Sequence, residues 1–158
     1  MVKSFEILSR SPSQTKKIGQ FLAKETLKTK TKRVLILGLV GDLGGGKTTF
    51  LQGFAKGLGI KEKILSPTFI LMKKFKIRVD SCSNSCRFVY FYHIDCYRIE
   101  KPKEILDLGF KEIVSDPKNI VAIEWADRIK KFLPKKILIL KFDFINRNQR
   151  EIEILNYV

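Results

Sequence analysis

The feature that most constrains this chain is Gly41-Asp42-Leu43-Gly44-Gly45-Gly46-Lys47-Thr48, which fits the pattern G-x-x-x-x-G-K-[ST] without a mismatch. Glycines let a backbone adopt left-handed turns and approach a ligand closely, so successive N–H groups can converge on phosphate oxygens. A lysine at the end of such a loop adds a point charge for β- and γ-phosphates, and the following hydroxyl can ligate Mg²⁺. The flanks agree with this reading. Val34 to Val40 is a continuous apolar run of the kind a strand buried on both faces requires, and Phe50, Leu51, Phe54 and Leu58 follow at helical spacing. A strand, a glycine loop and a helix in that order aim a helix N-terminus at the phosphates. Asp42, Leu43, Gly44, Gly45, Gly46, Lys47, Thr48 and Thr49 are therefore the candidate nucleotide-binding residues. The competing explanation is a glycine-rich turn between two core elements.

The sequence has 158 residues, enough for one sizeable core, and a single domain over 1–158 is expected. No apolar run approaches the roughly 18 residues that a membrane-spanning helix needs, and the N-terminus lacks the apolar stretch of a signal peptide. A cytoplasmic location is expected. Cys82, Cys86 and Cys96 form no CxxC pair and the chain has one histidine, which argues against a structural zinc site. Cys82 and Cys86 enclose either a reduced surface turn or a redox or metal-sensing loop. The formal charge of +15 is unusual for a small chain. It fits attraction to a polyanion such as RNA, and equally a lysine-rich composition scattered over a solvated surface.

Taken in order, Phe5 to Leu8 alternates weakly, as a short edge strand does. Ser11-Pro12 supplies an N-cap and a first-turn proline for a helix reaching about Lys28, expected to bury Ile18, Phe21, Leu22 and Leu27. Gly57-Leu58-Gly59 ends the helix after the glycine loop. Ser66 to Phe69 reads as a turn, Ile70 to Met72 as the start of a strand, Asp80 to Ser85 as a hairpin connection and Arg87 to Asp95 as its antiparallel partner. Two short helices follow, Lys103 to Leu108 and Phe110 to Val114. Asn119 to Ile123 has the pattern of a buried strand, Asp127 to Leu133 that of a short basic helix stopped by Pro134. Two strands, Lys136 to Phe144 and Arg150 to Tyr157, close the chain. The sum is an α/β fold: a mixed sheet with a parallel core near the glycine loop and antiparallel margins, flanked by helices.

A nucleoside triphosphatase needs a carboxylate at the end of a strand beside the phosphates, to hold Mg²⁺ and orient the attacking water. Asp95 and Glu124 each stand just past an apolar strand, and both are candidates. His93 is either a base or a core histidine and receives no chemical role from the sequence. Trp125 either stacks on a base or partner or caps the core. Arg98 and Arg128 could neutralise developing charge, although surface roles fit each as well.

Gly41 to Thr49, Ser66-Pro67-Thr68-Phe69, Tyr92 to Arg98, Asp107 to Phe110 and Ile123 to Arg128 occur in the order seen in the bacterial TsaE family, also known as YjeE, which this chain resembles over about residues 5 to 145. The resemblance implies a P-loop ATPase using ATP and Mg²⁺ and acting with the TsaD and TsaB proteins. That complex places a threonylcarbamoyl group on N6 of the adenosine beside the anticodon in tRNAs reading ANN codons, and the ATP cycle lets it turn over repeatedly. By position, Lys47 and Thr48 match the family's phosphate and magnesium residues. Thr68 matches a sensor of the γ-phosphate or water, Asp95 and Glu124 match its two essential acids, and Trp125 its adjacent tryptophan. Gly45 stands where alanine or serine is usual and Cys96 where leucine is usual, and the segment from Lys76 to Arg87 is longer than typical.

Other functional classes start from the same loop. A small-molecule kinase would need a lid carrying arginines, which the sequence does not offer, and a GTPase would need an N-K-x-D stretch, which is absent. An RNA-binding module with a structural nucleotide is the non-enzymatic alternative.

Overall fold

A computed structural model describes residues 3–66, 71–78 and 87–156. The elements in order are β1 (Lys3–Ser9), α1 (Pro12–Lys28), β2 (Leu35–Gly41), α2 (Lys47–Gly57), β3 (Met72–Lys76), β4 (Tyr90–Asp95), α3 (Glu104–Asp107), α4 (Phe110–Ile113), β5 (Asn119–Glu124), a 3-10 helix (Ala126–Phe132), β6 (Leu138–Phe144) and β7 (Arg150–Asn156). The strands form one sheet in the order β1-β7-β6-β2-β5-β4-β3. The central strands β4, β5, β2 and β6 run parallel, while β3 joins β4, β7 joins β6 and β1 joins β7 in antiparallel fashion. The expected parallel core with antiparallel margins is thus observed. The expected turn Ser66 to Phe69 lies outside the described residues from Pro67 onward, and so does the connection Asp80 to Ser85 with Cys82 and Cys86.

The innermost strands β2 and β5 are apolar along almost their whole length because both of their faces are covered. Leu37 and Leu39 of β2 and Ile120 and Ala122 of β5 meet Phe50, Leu51 and Phe54 of α2 on one face. Their neighbours Ile36, Val121 and Ile123 meet Ile105, Phe110 and Ile129 on the other. This period of two fixes the register, since a slip of one residue would exchange the two faces.

Helix α1 starts where expected. Ser11 is its N-cap, its hydroxyl accepting the Gln14 N–H at 3.1 Å, and Pro12 follows in the first turn. Its buried face differs from expectation. Thr15, Gly19, Ala23 and Thr26 are buried, whereas Phe21 is 65% exposed. The cause is the closeness of α1 and α2: a Cβ added at Gly19 would lie 2.2 Å from the Phe50 carbonyl oxygen, and one at Gly53 would lie 1.9 Å from that of Lys16. The helices meet backbone to backbone along a small-residue seam, with Ile18 and Leu22 at its flank. At about 100° per residue, Phe21 falls on the opposite side.

The short basic helix expected over Asp127 to Leu133 is observed in 3-10 form over Ala126–Phe132, with a non-helical residue at Ile129 (φ −114°). It begins directly from a left-handed Trp125 without a side-chain cap, and the kink at Ile129 divides it into two short turns, the length at which 3-10 structure usually occurs. Among the described residues no helix is long and apolar enough to cross a membrane.

Candidate active site

Strand β2 ends at Gly41, and the chain turns through Gly44 (φ 75°) and Gly46 (φ 99°) into α2, which starts at Lys47. Within the loop the Gly45 N–H returns to the Asp42 carbonyl at 3.0 Å, and the first helical bond to a loop carbonyl is Phe50 N–H to Gly46 at 2.9 Å. The N–H groups of Gly46, Lys47, Thr48 and Thr49 therefore belong to the open first turn of α2, whose donors have no intrahelical partner. They form a positively polarised cradle of the size and polarity that a phosphate requires.

The loop and the strand ends are tied together by Glu124. The Thr48 hydroxyl donates to its carboxylate, at 2.9 Å from Oε2 and 3.0 Å from Oε1, across 76 residues of sequence. His93 Nε2 lies 2.9 Å from Oε1 and is buried with Glu124. A carboxylate oxygen accepts, so this contact requires the proton on Nε2. Asp95 stands in register with Glu124 on the neighbouring strand. Its Oδ2 accepts the Ser66 hydroxyl at 2.8 Å and its Oδ1 the Tyr97 N–H at 2.9 Å.

Lys47 is buried, its ammonium donating to the carbonyls of Gly41 at 2.7 Å and Asp42 at 2.8 Å and lying 4.1 Å above the centroid of Trp125. Burial holds its pKa below the ordinary lysine value, and the negative charges of Glu124, Asp95, Asp42 and Asp127 oppose that shift. Trp125 is the one non-glycine residue of positive φ (57°) among those described. A large side chain in that region costs about 1–3 kcal/mol and persists where its surroundings hold it. Here they are Lys47, the Tyr97 ring at 5.0 Å and the Arg128 guanidinium at 5.5 Å. Cys96, between Asp95 and Tyr97, is fully buried, and burial pushes its thiol up to about 12, so it serves as packing.

These groups open into a pocket of about 330 Å³. Leu43, Gly44, Gly45, Gly46, Lys47, Thr48, Thr49, Asp95, Glu124 and Trp125 all lie on its wall. The structure therefore brings together nearly every residue proposed from the sequence. Asp42 is the exception: it contributes its carbonyl to Lys47 and Gly45 from behind the wall. Thr68 lies outside the described residues.

Sequence reasoning missed two residues. The sequence assigns no chemistry to His93, although its position two residues before Asp95 puts both side chains on one face of β4. Arg150 gave no local signal. It reaches the pocket only because β7 inserts between β1 and β6, and its Nε donates to the Gly44 carbonyl at 3.1 Å across 106 residues.

The donor set suits a nucleotide with a hard cation. Thr48, Glu124 and Asp95 offer only oxygen, as Mg²⁺ prefers. Among the described residues no cluster of three or more His, Cys, Asp and Glu could hold a metal by itself.

A mixed sheet with a parallel core and helices on both faces, carrying a glycine loop at a helix N-terminus beside two acids on adjacent strand ends, defines an α/β protein of the phosphate-loop class. The sequence model of the family described as "Threonylcarbamoyl adenosine biosynthesis protein TsaE" matches residues 9–152, and the chain belongs to this family. It is 36% identical over 142 residues to the Bacillus subtilis protein named tRNA threonylcarbamoyladenosine biosynthesis protein TsaE, covering 90% of this chain and 79% of that one. A Rickettsia felis protein of the same name is 31% identical over 150 residues, covering 94% of this chain and 78% of its own. The crystal structure of YdiB from Bacillus subtilis superposes with a TM-score of 0.72 at 30% identity, covering 100% of this chain and 88% of that chain.

Proposed function

We propose that this chain binds ATP with Mg²⁺ at the phosphate loop and hydrolyses it in the cytoplasm, in support of N6-threonylcarbamoyladenosine formation in tRNAs reading ANN codons. It acts with the TsaD and TsaB proteins, and membership of the TsaE family supports the pathway. The observation that carries the chemistry is the Thr48 to Glu124 hydrogen bond, which sets a loop hydroxyl and a strand-end carboxylate side by side at the mouth of the phosphate cradle.

In this reading the open N–H groups of the first turn of α2 bind the phosphate oxygens, and Lys47 supplies a fixed positive charge to the β- and γ-phosphates. Thr48, Glu124 and Asp95 would hold Mg²⁺, which when bound neutralises charge on the phosphate oxygens. Asp95 also orients the attacking water, its own position fixed by Ser66 and the Tyr97 N–H. Thr68 senses the γ-phosphate or the water. The strand-end acids sit at the carboxyl edge of the sheet, where ligands of open α/β folds bind.

The test is ATP hydrolysis by the purified chain, alone and with TsaD and TsaB from the same organism, with Lys47→Ala as blank. Slow turnover alone and strong activation by both partners is expected. Brisk turnover without partners would contradict dependence on them. Intact ATP binding with no activation would overturn the assignment and favour transfer to a small phosphate acceptor.

A further inference from the structure

A second concavity, of about 740 Å³, lies toward the far end of α2 and shares no lining residue with the nucleotide pocket. Nine residues of helix separate Lys47 from Lys56, about 14 Å at 1.5 Å per residue. Lys16 of α1, Lys56 of α2, Lys61 and Lys63 of the loop that follows, and Arg78 beyond β3 line it, with Glu62 as the single acid. All five cations are exposed. Among the described residues none has a carboxylate within ion-pair distance, the pairs that join lysine to carboxylate being Lys28 with Glu25 and Lys141 with Asp143. One lysine near a helix C-terminus is explained by the helix dipole. Five cations converging from four segments on one groove are not.

The floor is firmly built. The Ile60 N–H donates to the Ala55 carbonyl at 3.0 Å, and Gln52 Nε2 donates to that of Ile64 at 3.1 Å. A Cβ added at Gly59 would lie 1.9 Å from the Arg78 carbonyl oxygen, so the loop and the strand end that carry the cations are in backbone contact.

We propose that this groove binds the phosphate backbone of RNA, and specifically of the tRNA that the family serves. The inference rests on the pathway reading above. The groove's chemistry favours a nucleic acid over an acidic protein surface. Protein interfaces depend on well-packed aromatic and arginine anchors, whereas among the described residues this groove has no aromatic side chain, its one arginine is exposed, and its apolar residues Ile60 and Ile64, 6% and 2% exposed, belong to the core. Backbone phosphates need only cations in a concave track, and the net charge of +15 strengthens their attraction over distance.

The experiment measures binding of an in-vitro transcribed ANN-decoding tRNA to the full chain over a salt series. The groove variant Lys56→Glu/Lys61→Glu/Lys63→Glu is compared with a charge-matched control, Lys111→Glu/Lys118→Glu/Lys136→Glu, at exposed positions outside the groove. The groove variant is expected to lose tenfold or more in affinity and to flatten the salt slope by about two to three, while the control loses less than threefold. Lys61→Gln alone, which keeps a long polar side chain, is expected to flatten the slope by about one. MgADP binding, read from Trp125 emission, should be unchanged in every variant. Equal losses in the groove and control variants would overturn the proposal in favour of diffuse charge. Unchanged tRNA binding with lost affinity for the TsaD and TsaB proteins would assign the groove to an acidic protein partner. Failure of the wild-type chain to bind MgADP would instead refute the ATPase reading, independently of the RNA result.

Discussion

Glu124 receives hydrogen bonds from two directions, the Thr48 hydroxyl in front and His93 behind. A carboxylate held from behind presents one fixed geometry to the pocket, and loss of such a supporting partner typically costs 10–100-fold in metal affinity. His93→Leu is accordingly expected to raise the Mg²⁺ concentration needed for half-maximal MgADP binding by about tenfold or more. Metal-free ADP affinity should stay nearly unchanged, and His93→Gln, which keeps a donor, should recover part of the loss. Titration of Mg²⁺ against Trp125 emission checks this, and a parallel fall in metal-free affinity would reduce His93 to a packing role. At this scale the sequence was most legible where chemistry and position coincide. Lys47 and Thr48 sit in a pattern that few other tasks require, and Asp95 and Glu124 each terminate an apolar strand. Arg150 was illegible because nothing beside it in the chain predicts that it faces Gly44.

The pairing of α1 with α2 shows where element-level reading succeeds and where it stops. Ser11-Pro12 announced the start of α1, and Gly57 to Gly59 the end of α2, because caps are local chemistry. The contact face escaped because apolar periodicity scores Phe21 and ignores glycine, whereas the helices meet through Gly19, Ala23 and Gly53. Gly53→Ala should therefore behave as overpacking, although alanine is the better helix former. The added methyl meets backbone at 1.9 Å, which no rotamer change relieves. A loss of about 1–3 kcal/mol in unfolding free energy is expected from denaturant titration, and an unchanged or raised stability would mean that α1 can move away from α2 at little cost.

Across the whole molecule, 31 basic and 16 acidic side chains carry a large positive self-repulsion. Raising NaCl from about 50 mM to about 500 mM shortens the Debye length several-fold. A gain of about 1 kcal/mol is expected, which raises the thermal midpoint by roughly 2–4 °C for a chain of this size. A falling midpoint in differential scanning fluorimetry would show that attractive pairs dominate instead. The parallel core was legible because buried strands read as continuous apolar runs. The order of the margins was not, since β1 and β7 come from opposite ends of the chain and their pairing leaves no local trace. The pairing of β7 with β6 places Arg150 at the base of their hairpin, holding the carbonyls of Gly44, Asn146 and Gln149 with one guanidinium. One side chain thus ties the hairpin turn to the phosphate loop, so a change in the turn that displaces Arg150 takes a hydrogen bond from Gly44.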